Sequence, residues 1–238
     1  MADPFVLVDQ FAAQGKLKPA MAAKIKARAD YLLAAVGRVE KATGLRYPPY
    51  YVEPTLPLAV TSVEYGSIGA FFARVIPAPF EGRLSIIVQF TAPLLLFGAK
   101  GTIEAVAGHE FTHYVDLVRR LSSMNIVSDE RVSTLYEAGH ADEERLINPK
   151  KVFANDKPLA KLIDKKFTPN LTDPKLDEKV SKNWIGKGLP SRRVTTEDNF
   201  VKLDIQMIAR TSFDPSVIER IKAMESAPVK PSRKVKGA

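Results

Sequence analysis

The chain has 238 residues, 45% of them apolar, with 35 Lys and Arg against 27 Asp and Glu for a formal net charge of +8. That length can bury a proper core of one or two domains, and the lack of cysteine excludes disulfides, thiolate metal sites and cysteine nucleophiles. The longest apolar run, Ala92-Pro93-Leu94-Leu95-Leu96-Phe97, is too short for a bilayer and is broken by proline, so no membrane span is expected. The first residues, Met1-Ala2-Asp3-Pro4, show no basic n-region or long apolar core, which makes a cytoplasmic location the expectation.

Residues 3–14 and 18–43 read as helices. The second carries Met21, Ile25, Ala29, Leu32, Leu33, Val36 and Val39 at helical spacing, and Gly44 marks its end. Pro48, Pro49, Pro54 and Pro57 then impose extended chain. Residues 60–76 and 83–90 are rich in β-formers and separated by a Pro-Phe-Glu-Gly turn, so both read as strands. Apolar residues at helical spacing return with Ile103, Val106, Ala107, Val115, Leu117, Val118 and Leu121. After Ser122-Ser123-Met124-Asn125, Ser128 followed by Asp129 and Glu130 suits a further helix start, with Val132, Leu135 and Tyr136 as its apolar stripe. Beyond Asn148-Pro149 the chain is charged and proline-punctuated. Short helices are expected at 158–166 and 174–182, then amphipathic ones at 198–209 and 215–224, the last opened by Asp214-Pro215. Trp184, the single tryptophan, is read as a packing anchor.

Within the helix around residue 110 lies Gly108-His109-Glu110-Phe111-Thr112-His113, an HExxH motif. Residues four apart share a helix face, so His109 and His113 can present two imidazole nitrogens to one zinc ion. Glu110, one position on, can reach a water at that ion and accept its proton. The competing reading is two helix histidines packed or capped by neighbours; in a chain with three histidines, this spacing around a Glu favours the metal.

A four-coordinate zinc with an open position needs a third protein ligand. Asp116 lies on the same helix face, but a short carboxylate three residues past His113 suits a hydrogen bond to an imidazole better than the ion. The other candidates are Glu137, His140, Asp142 and Glu144 on the second helix, with His140 one turn from Glu137. His109 through Asp116, followed by Tyr136-Glu137-Ala138-Gly139-His140-Ala141-Asp142, resembles the gluzincin branch of zinc metallopeptidases. The resemblance covers about a fifth of the chain, and His140 is an extra residue relative to tighter versions of the second motif. It implies Glu137 as third ligand, with His140 as the rival. If Glu137 ligates, His140 faces the cleft as a catalytic-side group. It also implies an oxyanion-binding residue, for which Tyr114, Tyr136 and His140 are candidates.

The expected fold is α+β and zincin-like: N-terminal helices and a small mixed sheet packed on the HExxH helix, then a mainly helical part. Residues 1–150 would form the catalytic domain, 151–226 the helical subdomain and 227–238 a basic flexible tail. The strand at 84–88 is the candidate cleft edge, where an extended peptide could pair, with an ordinary interior strand as the equal alternative. The expected activity is zinc-dependent hydrolysis of a peptide or protein substrate with Glu110 as general base. Two other readings retain the fold without catalysis: a structural component of a larger assembly, or a nucleic-acid-associated regulator. Lys230, Arg233, Lys234 and Lys236 in the tail would serve an anionic partner, nucleic acid or acidic surface. No RNA-binding signature, cysteine zinc finger or phosphate loop accompanies them.

Overall fold

The computed structural model describes residues 3–59, 69–81, 83–122, 147–167, 170–194 and 205–226. The expected second helix with Tyr136, Glu137, His140, Asp142 and Glu144 lies outside the described residues, as do the basic tail, the stretch 60–68 and the start of the expected helix at 198. The architecture is α+β: among the described residues, helices accompany one three-stranded and one two-stranded sheet. No helix among the described residues is long and apolar enough to cross a membrane.

Three helices open the chain: α1 (Val6–Ala13), α2 (Pro19–Lys26) and α3 (Ala29–Thr43). The single helix expected over 18–43 is therefore two, parted at Ala27 and Arg28. Arg28 leaves the helical region, its guanidinium donating to the carbonyl of Gly98 and lying 4.6 Å from the Tyr31 ring centroid. These contacts supply at Arg28 what an unbroken helix would not, and periodicity alone does not register them. At the other end, α3 stops where expected: Gly44 takes φ 71°, a left-handed cap that favours glycine.

The larger sheet contains β1 (Tyr50–Glu53), β3 (Ala73–Phe80) and β4 (Arg83–Thr91) in the order β1-β4-β3, with β1 parallel and β3 antiparallel to β4. Of the two readings of 84–88, the structure overturns the cleft edge and has the interior strand, with neighbours on both sides. Leu84, Ile86, Val88 and Phe90 alternate into the core, a pattern that an edge and an interior strand share. Pro77 and Pro79 instead mark β3 as an outer strand, since proline cannot donate to a second neighbour. The smaller sheet pairs β2 (Leu56–Ala59) in parallel with β5 (Ser191–Val194), tying together segments far apart in sequence.

A short helix, α4 (Ala92–Phe97), leads from β4 into α5 (Lys100–Ser122), the HExxH helix. Packed on α5 are α3, β3 and three later helices, α6 (Pro149–Val152), α7 (Lys157–Lys166) and α10 (Pro215–Ser226); between them come α8 (Pro174–Asn183) and α9 (Ile205–Ala209). The caps follow the sequence logic. Asn148, Asp156 and Asp173 each accept a backbone N–H from the first turn they precede, ahead of prolines, which have no N–H to satisfy. Trp184 is fully buried and donates its Nε1–H to the Pro190 carbonyl at 3.0 Å, the packing role expected of it. One apolar cluster runs from Phe5 and Val39 through Phe90 and Val106 to Phe153, Ile163, Trp184 and Met224.

Arg38 joins three helices. It grips Asp156 through two hydrogen bonds, 2.7 and 3.0 Å, and reaches Glu104 of α5 at 2.5 Å. The hydrogen bonds from Arg38 hold the Asp156 carboxyl below the usual carboxylate range, so this contribution to stability is present above that range and is lost as pH falls through the lowered value. Asp156→Ala removes both the cap of α7 and the ion pair. It should lower stability by about 1–2 kcal/mol at pH 7 and flatten the acid limb of a stability profile measured by urea denaturation. An unchanged acid limb would show that the pair does not contribute.

Candidate metal centre

The site is built on the middle of α5, where nearly every residue from Thr102 to Thr112 is buried. His109 and His113, one helical turn apart, turn their rings edge to face with centroids 4.6 Å apart, and their Nε2 atoms approach to 3.0 Å. Two nitrogens sharing a tetrahedral zinc at about 2.0–2.1 Å would lie about 3.3 Å apart, close to the separation of this pair. Burial, and after it the neighbouring His113, pushes the His109 pKa well below its ordinary value, which keeps that imidazole neutral and able to ligate.

Glu110, the next residue along α5 after His109, is buried, and burial raises its pKa to about 8. A buried carboxyl with a raised pKa gains by the arrival of a positive charge. Two neutral imidazole nitrogens one turn apart are donors of the kind zinc takes. Beneath them Tyr47 is fully buried. Its hydroxyl donates to the Ala107 carbonyl at 2.9 Å, and its ring packs on Phe90 and Phe111. Burial first, then the nearness of Glu110, pushes the Tyr47 phenol up, so it stays a neutral hydrogen-bond donor.

Of the residues singled out from sequence, the structure brings together His109, Glu110 and His113. Glu137 and His140 lie outside the described residues, and among the described residues no group of three or more His, Asp or Glu is arranged to hold a metal. The carboxylate of Asp116 is engaged differently from the expected imidazole contact: Oδ1 accepts from Arg119 at 2.6 Å and Oδ2 pairs with Arg120 at 2.7 Å. Arg119 continues to Glu225, so Asp116 helps to fasten α10 to α5. Tyr114 packs against Phe111.

Two partners of the site went unseen in the sequence. Phe167, at the end of α7, lies flat on the His109 ring, with centroids 3.7 Å apart and planes within 10°. Ile163, one turn earlier, presses on Gly108: a Cβ there would come within 2.6 Å of Ile163 Cδ1. The spacing Leu159, Ile163, Phe167 does mark one apolar face of α7, but periodicity does not say which helix that face meets. No family model matches this chain, and neither the curated proteins nor the solved structures contain a match to it.

Gly108→Ala sets helix propensity, a gain of about 1 kcal/mol, against overpacking, a cost of about 1–3 kcal/mol. The expected outcome is a net loss of about 1 kcal/mol in thermal denaturation, because Ile163 is itself enclosed. In an Ile163→Val background, which lacks the Cδ1 methyl, the same substitution should become neutral or stabilising. Equal losses in the two backgrounds would locate the cost elsewhere.

Proposed function

We propose that this protein is a zinc-dependent metallopeptidase of zincin-like fold. The observation that carries the reading is the approach of His109 Nε2 and His113 Nε2 to 3.0 Å, on a helix turn where Glu110 is also buried. His109 and His113 are two of the ligands. Glu137 is the third on the resemblance to gluzincins, with His140 as the alternative; otherwise His140 is a cleft-side hydrogen-bond donor. A bound zinc supplies Lewis-acid polarisation of the scissile carbonyl and brings the pKa of its water close to neutrality.

The chain's own groups do the rest. Glu110 accepts a proton from the attacking water and delivers it to the leaving amine nitrogen, so one carboxyl acts as base and then as acid. Burial alone holds the proton on this carboxyl at neutral pH; a divalent cation bound next to it would favour the ionised form that the base step requires. Desolvation keeps His109 unprotonated and available throughout. A peptide or protein substrate has to enter without pairing to β4, whose two edges are already taken by β1 and β3.

Glu110→Gln keeps the shape of the side chain and removes its basicity. It should bind zinc and melt cooperatively while losing at least about a hundredfold in peptide cleavage. Cleavage of a fluorogenic peptide library at the wild-type rate by this variant would remove Glu110 from the mechanism.

A further inference from the structure

Phe167 occupies a position defined from two sides. Along α7 it follows Ile163 by four residues, so both side chains share a face, and its N–H still closes on the Ile163 carbonyl at 2.9 Å. Ile163 reaches the surface of α5 at Gly108, and Phe167 therefore arrives over the next residue, His109. Beyond Phe167 the chain doubles back: Leu171 forms a bridge with Phe167, and Thr172 N–H donates to the Lys166 carbonyl at 2.7 Å. Asp173 then ties this turn to α5 itself. Its Oδ2 accepts from Thr102, in the first turns of α5, at 2.5 Å and from Lys166 at 2.6 Å, while its Oδ1 caps α8 at Leu176. The turn carrying Phe167 is thus fixed to the histidine helix at both Gly108 and Thr102.

The overlap of the rings is informative in itself. Two neutral aromatic rings prefer an offset or edge-on arrangement, yet these lie nearly parallel at 3.7 Å between centroids. Parallel overlap becomes favourable when one ring is electron-poor, and an imidazole that donates to a cation is such a ring. We infer that Phe167 is a positioning residue for metal binding: it fixes the plane of the His109 ring so that Nε2 faces His113, and it favours the metal-bound state of that ring over the free one. This rests on the metal reading of the histidine pair.

The test uses the full chain and zinc alone. Wild type, Phe167→Tyr, Phe167→Leu and Phe167→Met are titrated with zinc against a chromogenic chelator, and the ring protons of His109 are followed by NMR in the metal-free state. Phe167→Tyr should bind zinc as wild type does, while the Leu and Met variants, which keep apolar bulk without the ring, should bind about tenfold more weakly. In both of these the His109 ring protons should move downfield as they leave the shielding face of the phenyl ring. Equal zinc affinity across the four proteins overturns the inference while leaving the proposed function standing, and so do unmoved His109 resonances. A wild type that binds no zinc removes both.

Discussion

The close approach of α7 to α5 at Gly108 is the contact on which the site depends. Glycine lets the two helices meet where any side chain would press into Ile163, and the residues on either side of that contact then fall into place. On α5 the next residue is His109; on α7 the next turn brings Phe167. Phe153 also reaches the Gly108 position, so the polypeptide after the expected second helix forms one wall of the histidine site. Arg38 bonds Asp156 at the start of α7 and Glu104 on α5, and Asp173 with Thr102 holds the turn after α7. The crossing is therefore secured at its centre by packing and at its flanks by charge.

The same packing sets the chemistry. Enclosing α5 on several sides removes water from His109 and Glu110, and this one cause moves the two groups in opposite directions on the pH scale while giving both the same charge state, neutral. A neutral imidazole and a protonated carboxyl are mutually tolerable in an apolar interior without a counterion. They are also a pair whose balance a divalent cation would shift, since the imidazoles gain a Lewis acid and the carboxyl a reason to ionise. Tyr47, kept neutral by the same burial, occupies the floor without adding charge. The salt-bridged groups near the site, Asp116 with Arg119 and Arg120, lie further along α5, where they anchor α10.

What could be read from the sequence were the features with a local signature. The HExxH helix, the end of α3 at Gly44, the short helices near 158–166 and 174–182, the Asp214-Pro215 start of α10, and the strand at 83–90 all follow from periodicity and capping. Features set by distant partners were not legible. Periodicity gave β4 its buried face but not its place between β1 and β3. The β2–β5 pair joins four-residue segments, one holding Pro57 and the other Arg192 and Arg193, and neither has the composition of a strand. Arg28 breaks a well-patterned helix for contacts with Gly98 and Tyr31. At the site the motif announced His109, Glu110 and His113, but Phe167 is reached only through the fold, because it lies 58 positions from His109 in sequence and its neighbourhood contains no motif.

The central claim is that the paired histidines of α5 hold zinc. It is tested most directly by elemental analysis of the full chain purified under metal-replete conditions, beside His113→Ala. The account predicts one zinc per chain in the wild type and none in the variant, because removing either imidazole leaves a single nitrogen where the pair now converges. A folded wild type that carries no zinc would contradict it, and so would a variant that retains the full complement.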